Sequence, residues 1–220
     1  MAADFSFDKD LMRIDALAAA LQRELPAHAR EPLGRYVALV ATWNRKLDLT
    51  AARDAAAQVE VLLADALVLA ELELVGRDSR VVDVGSGAGS PCLPLLLLRP
   101  DLRAVLVEPL RKRVAFLRTA IGSLDLVGRA QVLEAKLNVE APQVSFGPFD
   151  VAMSRATFAP EVWVRAGSQL APRVLLLLAA AQAPAAPAGS ARGQATHYRL
   201  PSHGAERSVV VYAREPANAL

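Results

Sequence analysis

Three glycines at alternate positions, Gly85, Gly87 and Gly89, follow an acid, Asp83, in the stretch VVDVGSGAGSPCLPLLLL (81–98). Each glycine permits a positive φ or removes a β-carbon that would keep a ligand off the backbone. A dinucleotide loop prefers the spacing G-x-G-x-x-G. The spacing G-x-G-x-G after an acid is more typical of S-adenosylmethionine sites, and no Walker lysine motif for a triphosphate occurs. Glu108 ends the next strand pattern, about 20 residues on, where an acid accepts hydrogen bonds from ribose hydroxyls. A loop with acids at both edges, Asp83 and Glu108 flanking Gly85, Ser86, Gly87 and Gly89, suits a cationic sulfonium better than a triphosphate.

Those residues need strands to hold them. RVVDV (80–84), AVLVE (104–108), AQVLEA (130–135), FDVAMS (149–154) and RVLLLLAAA (173–181) read as five short buried strands. Helical patterns separate several of them, notably the basic LRKRVAFLRTAIGSL after the second strand and 158–170 after the fourth. ATHYRL (195–200) and SVVVYAR (208–214) read as a closing hairpin. Strands alternating with helices imply a mainly parallel sheet covered on both faces. In such a sheet ligands bind beyond the carboxyl ends of the strands, where the glycine loop falls. Before residue 77 the pattern is helical: 11–25 with apolar Leu11, Ile14, Leu17, Leu21 and Leu25, then 32–49, then 55–74. The expected division is therefore a helical region over 1–76 packed on the core, and a catalytic domain over 77–214. The segment AAAQAPAAPAGSARG, rich in small residues and proline, reads as a flexible loop over 182–194.

Composition narrows the classes. The chain has 220 residues, 53% hydrophobic and 5% aromatic, with 25 basic and 23 acidic side chains. That supports one sizeable core and offers few stacking platforms for single-stranded nucleic acid. The net charge of +2 neither requires nor excludes an RNA partner, so recognition must come from where the arginines sit. The single cysteine, Cys92, allows no internal disulfide and reads as a small apolar filler. His197 and His203 have no carboxylate or cysteine cluster nearby, and no metal site is expected. No run reaches the roughly 20 apolar residues that span a bilayer. The acidic start lacks a signal peptide's apolar core, so the expected compartment is the cytoplasm.

WNRKLDLTAARD (43–54), DVGSGAGSPCLPL (83–95), LRKRVAFLR (110–118), SRATFA (154–159) and AERSVVVYA (205–213) together resemble the RsmG family, also called glucose-inhibited division protein B. The resemblance implies a Rossmann-like class I methyltransferase fold, α/β, with a mostly parallel sheet, a closing hairpin and an N-terminal helical extension. It implies methyl transfer from S-adenosylmethionine to N7 of a guanine in 16S ribosomal RNA, by a monomer acting on the RNA or the small ribosomal subunit. Asp83, Gly85, Ser86, Gly87 and Gly89 correspond to the family's cofactor loop, with Pro91 and Pro94 stiffening the helix start beside it. Glu108 stands where relatives carry Asp, and Leu137 and Asn138 fall where the family's backbone meets the adenine. Lys136 replaces an arginine facing substrate, and Arg155 matches the arginine of the family's SRA motif, at cofactor and RNA alike. Arg207 matches a basic position in the closing hairpin that is assigned to RNA.

Departures from the pattern bear on the substrate side. Relatives show HILDS where this chain has LLADA: Asp65 is retained, while Leu62 and Ala66 replace His and Ser. Asp48 stands where relatives have Asn. The lysine that normally follows the fifth strand is absent from LLLLAAAQA (175–183). Guanine N7 is a lone pair with no proton to remove, so no general base is expected and positioning carries the catalysis. The alternatives that these departures leave are a methyltransferase for a small molecule or protein, and a noncatalytic RNA- or ribosome-binding paralogue.

Overall fold

A computed structural model describes residues 7–179 and 182–215. Its centre is a seven-stranded sheet of order β3-β2-β1-β4-β5-β7-β6. The strands are β1 (Arg80–Val84), β2 (Arg103–Glu108), β3 (Ala130–Glu134), β4 (Val151–Arg155), β5 (Arg173–Ala179), β6 (Ser190–Arg199) and β7 (Glu206–Arg214). The first five are parallel, and β7 runs antiparallel between β5 and β6. From β1 the chain winds outward to β2 and β3, then returns to β4 on the other side of β1. Strand order thus reverses between β1 and β4, and the crevice at their carboxyl ends is where such sheets bind ligands.

Alternation along the strands divides the core between the two faces. Val81, Leu106, Val151, Met153 and Leu175 face one cluster; Val82, Val84, Val105, Ala152 and Val174 face the other. Helices α1 (Phe7–Ala20), α2 (Ala27–Leu47), α3 (Ala55–Leu69), α5 (Cys92–Leu98) and α6 (Arg111–Ser123) lie on the first face, and the single-turn α4 (Leu72–Val75) falls between α3 and β1. Ile14, Leu33, Tyr36, Leu63 and Leu67 from the N-terminal helices share that cluster with Leu93, Leu106 and Leu117. On the second face α7 (Pro160–Leu170) buries Trp163 and Val164 against β4 and β5. No helix links β3 to β4, and Leu137, Val144 and Phe149 of the connecting segment pack there instead.

Several boundaries differ from the sequence reading. Helix α1 covers Phe7–Ala20, ending five residues before the expected Leu25, because Gln22 turns left-handed at φ 56°. Helix α2 starts at Ala27, with Pro32 near its start. The expected loop over 182–194 is too long: Ser190 opens β6 and pairs with Arg214, and the proline-rich part alone stays irregular. Small side chains that weaken a hydrophobic pattern do not prevent an edge strand from pairing. The last two residues of the fifth expected strand, 180 and 181, lie outside the described residues. Among the described residues, no helix is long and apolar enough to cross a membrane.

Candidate active site

The β1–α5 loop is fixed by backbone bonds and by the neighbouring helices. Gly85 and Ser86 donate their N–H groups to the Val107 carbonyl at 2.8 and 3.2 Å, and Gly89 donates to Ser86 at 2.7 Å. The buried Tyr36 hydroxyl of α2 donates to the Ala88 carbonyl at 2.9 Å. Ser90 Oγ donates to the Leu62 carbonyl of α3 at 2.7 Å. Pro91 and Pro94 fall at the first turn of α5, where a missing N–H costs no helical hydrogen bond.

The three glycines do different work. A β-carbon on Gly85 would lie 2.2 Å from Thr157 Oγ1, and one on Gly89 would lie 2.5 Å from Leu93. These two make room for the protein's own packing. A β-carbon on Gly87, at φ +55°, would meet only the Gly85 carbonyl at 3.9 Å and would otherwise project into open space. Of the three, Gly87 alone leaves its backbone open to the space beyond the loop. Its N–H donates to Glu108 Oε2 at 2.9 Å, while Leu110 N–H donates to Oε1 at 3.0 Å. Glu108, 2% exposed, therefore ties the end of β2 to the loop. Each carboxylate oxygen keeps a second lone pair for a ribose hydroxyl.

Asp83 is buried below the loop, and its Oδ2 has no hydrogen-bond partner among the described residues. Burial raises its pKa to about 7, opposed by the Ser86 hydrogen bond and the Arg155 guanidinium and reinforced by Glu108. A buried carboxylate oxygen without a donor fits a cationic group, such as the ammonium and sulfonium of S-adenosylmethionine. The open space beyond Gly87 fits the same ligand. Of the remaining residues expected at the cofactor, Leu137 is buried and Asn138 is exposed, with its Oδ1 accepting the Glu140 N–H at 3.1 Å.

Next to this loop a cavity of about 200 Å³ is lined by Arg155, Thr157, Phe158, Trp163, Leu177 and Arg207, among others. Arg155, ending β4, donates from Nη1 to the Val61 carbonyl at 2.8 Å and to Asp65 Oδ2 at 3.0 Å. Tyr198 of β6 donates to the other oxygen of Asp65. Burial and the Asp65 carboxylate raise the Tyr198 pKa and keep its hydroxyl protonated, as a donor must be. Arg207 stands between Tyr198 and Ala179 in the β6–β7 and β5–β7 registers, and its buried Nε has no partner among the described residues. Arg155 and Arg207 thus come together at one cavity. Lys136 is exposed and does not line it.

Sequence reasoning assigned no part to Thr157 or Tyr198, and read Tyr36 and Trp43 only as core anchors of their helix. Thr157 fills the space left by Gly85 and lines the arginine cavity, so it stands where the two halves of the site meet. Its place two residues after Arg155 was the available signal. Asn44 also gains a role: it donates to the Thr50 carbonyl and accepts the Thr50 N–H, closing the turn after α2. Trp43 packs edge-on against Phe116 at 5.7 Å, as a core anchor does.

The GidB family profile, described as rRNA small subunit methyltransferase G, matches residues 29–180. A Ribosomal RNA small subunit methyltransferase G from Xanthomonas axonopodis pv. citri is 33% identical over 205 residues, 89% of this chain and 94% of the relative. Another of that name, from Anaeromyxobacter dehalogenans strain 2CP-C, is 35% identical over 167 residues, 76% of this chain and 74% of the relative. Among solved structures, a candidate RNA methyltransferase from Pyrococcus horikoshii shares the fold with TM-score 0.52 at 14% identity, over 69% of this chain and 82% of that one. A candidate methyltransferase from Escherichia coli does so with TM-score 0.53 at 16% identity, over 68% and 85%. With its class I sheet, its glycine loop and a family match over most of its length, the chain belongs to the rRNA small subunit methyltransferase G (GidB) family.

Proposed function

We propose that the protein transfers the methyl group of S-adenosylmethionine to N7 of a guanine in small-subunit ribosomal RNA, acting as a cytoplasmic monomer. One observation carries this reading. Among the described residues four buried side-chain atoms lack partners, and two of these, of opposite charge, lie on adjoining clefts: Asp83 Oδ2 by the glycine loop and Arg207 Nε by the cavity next to it. Beside open space, such atoms are suited to a bound group. The first suits a cation and the second suits an RNA phosphate or a base carbonyl oxygen.

Within this scheme the cofactor, when bound, supplies an electrophilic methyl group. Asp83 sets its amino-acid end by charge, Gly87 admits it to the backbone, and Glu108 accepts its ribose hydroxyls. Arg207 and Arg155 grip phosphate and guanine O6, leaving N7 free to face the methyl. Lys136 would reach more distant phosphates from the β3 end. N7 has no proton, so no side chain serves as a base, and rate comes from alignment at roughly 3–3.5 Å. The helices of region 1–76 hold the loop by Tyr36 and the Leu62 carbonyl and hold Arg155 by Asp65, so that catalytic domain 77–214 depends on them.

Ribosomal RNA from parent and deletion strains, digested and compared by mass spectrometry, tests the reading. One 7-methylguanosine of the small subunit is expected to disappear in the deletion strain. Identical methylation in both strains, with no second enzyme covering the site, would overturn it in favour of another substrate or a binding role.

A further inference from the structure

At the ends of β1, β2 and β3 farthest from the glycine loop, three arginines stand in a row. Arg80 lies directly opposite Arg103 in the parallel β1–β2 register. Arg129 precedes Ala130, the partner of Ala104, and so continues the row toward the sheet edge. Together with Gly128 and Gln131 they line a cavity of about 140 Å³. It is separated from the active site by the length of a five-residue strand, about 15 Å at 3.3 Å per residue.

Like charges directly opposite one another on neighbouring strands are destabilising. Among the described residues, neither Arg80 nor Arg103 makes an ion pair that would offset this. The acids nearby bond other groups, with the Asp101 carboxylate also favouring the charged form of Arg129. Asp101 accepts from Arg99 and from the Asp78 N–H, and Asp150 Oδ2 accepts the backbone N–H of Arg80. Two of the three guanidiniums are also held in place. Arg80 lies over the Phe149 ring at 5.9 Å, and Arg129 Nη1 donates to the carbonyls of Leu96 and Pro100 at 3.0 and 3.2 Å. Arg103 is exposed and free to close on a ligand.

Guanidinium forks match phosphate oxygens in pairs, and a pre-positioned fork loses little side-chain freedom on binding. The cavity is well below the roughly 300–1,000 Å³ of clefts that take drug-sized ligands. We propose that it is a phosphate-binding site distinct from the methyl-transfer cleft, taking a single phosphate group. The source is a phosphodiester of bound RNA or a free phosphate species. The RNA source rests on the function proposed above, whereas the site itself does not.

Inorganic phosphate, titrated into the full chain at constant ionic strength, probes the site without any methyl transfer. At tenfold over its Kd, phosphate should raise the unfolding midpoint of the parent by about 3–6 °C. Arg103→Gln, at an exposed position that leaves the fold intact, should lose most of that rise, and Arg80→Gln with Arg103→Gln should lose all of it. No rise in the parent, or an equal rise in parent and both variants, would overturn the proposal. The salt dependence of binding to a small-subunit ribosomal RNA fragment then identifies the source. A slope lowered by about 0.7–0.9 in Arg103→Gln assigns the site to an RNA phosphodiester. An unchanged slope with the phosphate effect lost assigns it to a free phosphate species. A wrong choice of methylated substrate would leave the phosphate titration unaffected.

Discussion

At the carboxyl ends of β1 and β2, the polar contacts run over short stretches of chain: Glu108 reaches Leu110 two residues away and Gly87 at a separation of 21. At the ends of β4 and β6, Arg155 meets Val61 and Asp65 across 94 and 90 residues, and Tyr198 meets Asp65 across 133. The first half of the site is assembled by one loop and the strand beside it, braced from behind by Tyr36 and the Leu62 carbonyl. The second is assembled by three elements that meet only in the finished fold. A locally closed half constrains a compact string of residues, while a distributed half can exchange one cation for another so long as charge reaches the cavity.

The largest expected effect separates the glycines within the first half. Gly87→Val puts a branched side chain into the open space where the ligand meets backbone, at a positive φ that costs about 1–3 kcal/mol for a residue with a β-carbon. S-adenosylmethionine affinity should fall by about 100-fold or more, read by calorimetry. Gly85→Ala should act differently, since its new methyl group collides with Thr157 and not with ligand. Its unfolding midpoint should drop by about 3–10 °C. If Gly87→Val binds the cofactor as the parent does, the loop does not hold it.

A smaller effect follows from Asp83. A buried acid with its pKa raised to about 7 is protonated in the folded chain and ionised in the unfolded chain between pH 4 and 7. The folded state then holds the extra proton, so this group's contribution lowers stability as pH rises through that window and is constant above it. Cofactor binding has the opposite sign, because an ammonium or sulfonium favours the ionised carboxylate. Affinity for S-adenosylmethionine should increase from pH 6 to pH 8. Asp83→Asn should weaken binding by about 10–30-fold at pH 8, within the range for a charged hydrogen bond, and by much less at pH 6. A variant whose deficit is the same at both pH values would mean that Asp83 does not meet the cation.

The same division explains how much could be read from the sequence. Alternating burial and strand-end glycines exposed the five parallel strands, the hairpin and the cofactor loop, because period and turn chemistry are local properties. Glu108 was legible from its distance to the loop, although its grip on Gly87 N–H was not. Tyr36 read as a helix anchor, which it is, yet no pattern in α2 indicates that its hydroxyl reaches Ala88, 52 residues later. Asp65 stood out only against the family's motif, and its contacts with Arg155 and Tyr198 needed the folded chain. Gly85 and Gly87 are indistinguishable as letters. They differ because Thr157, seventy-two residues beyond Gly85, fills the space at one and leaves the other open.

The smallest expected effect concerns Arg207, where the distributed half is most exposed to change. Arg207 pairs with Ala179 at the end of β5, the strand after which the family resemblance implies a lysine that this sequence lacks. Its buried Nε lacks a partner among the described residues, whereas Arg155 beside it is already bound to Asp65. Of the two cavity arginines, Arg207 is therefore the one with a hydrogen bond still to give, and it brings charge to the end of β5. Arg207→Ala should weaken binding to small-subunit ribosomal RNA by about 3–10-fold, or ~0.7–1.4 kcal/mol. It should also lower the salt slope by about 0.7–0.9, one phosphate's share. S-adenosylmethionine affinity should stay within about twofold of the parent, because the glycine loop makes none of its backbone bonds to β7. Returning a lysine at Ala179 in the Arg207→Ala background should recover part of the slope if charge at this strand end is what matters. Cofactor affinity falling together with RNA affinity would show that the two halves are not independently built, and that Arg207 supports the whole cleft.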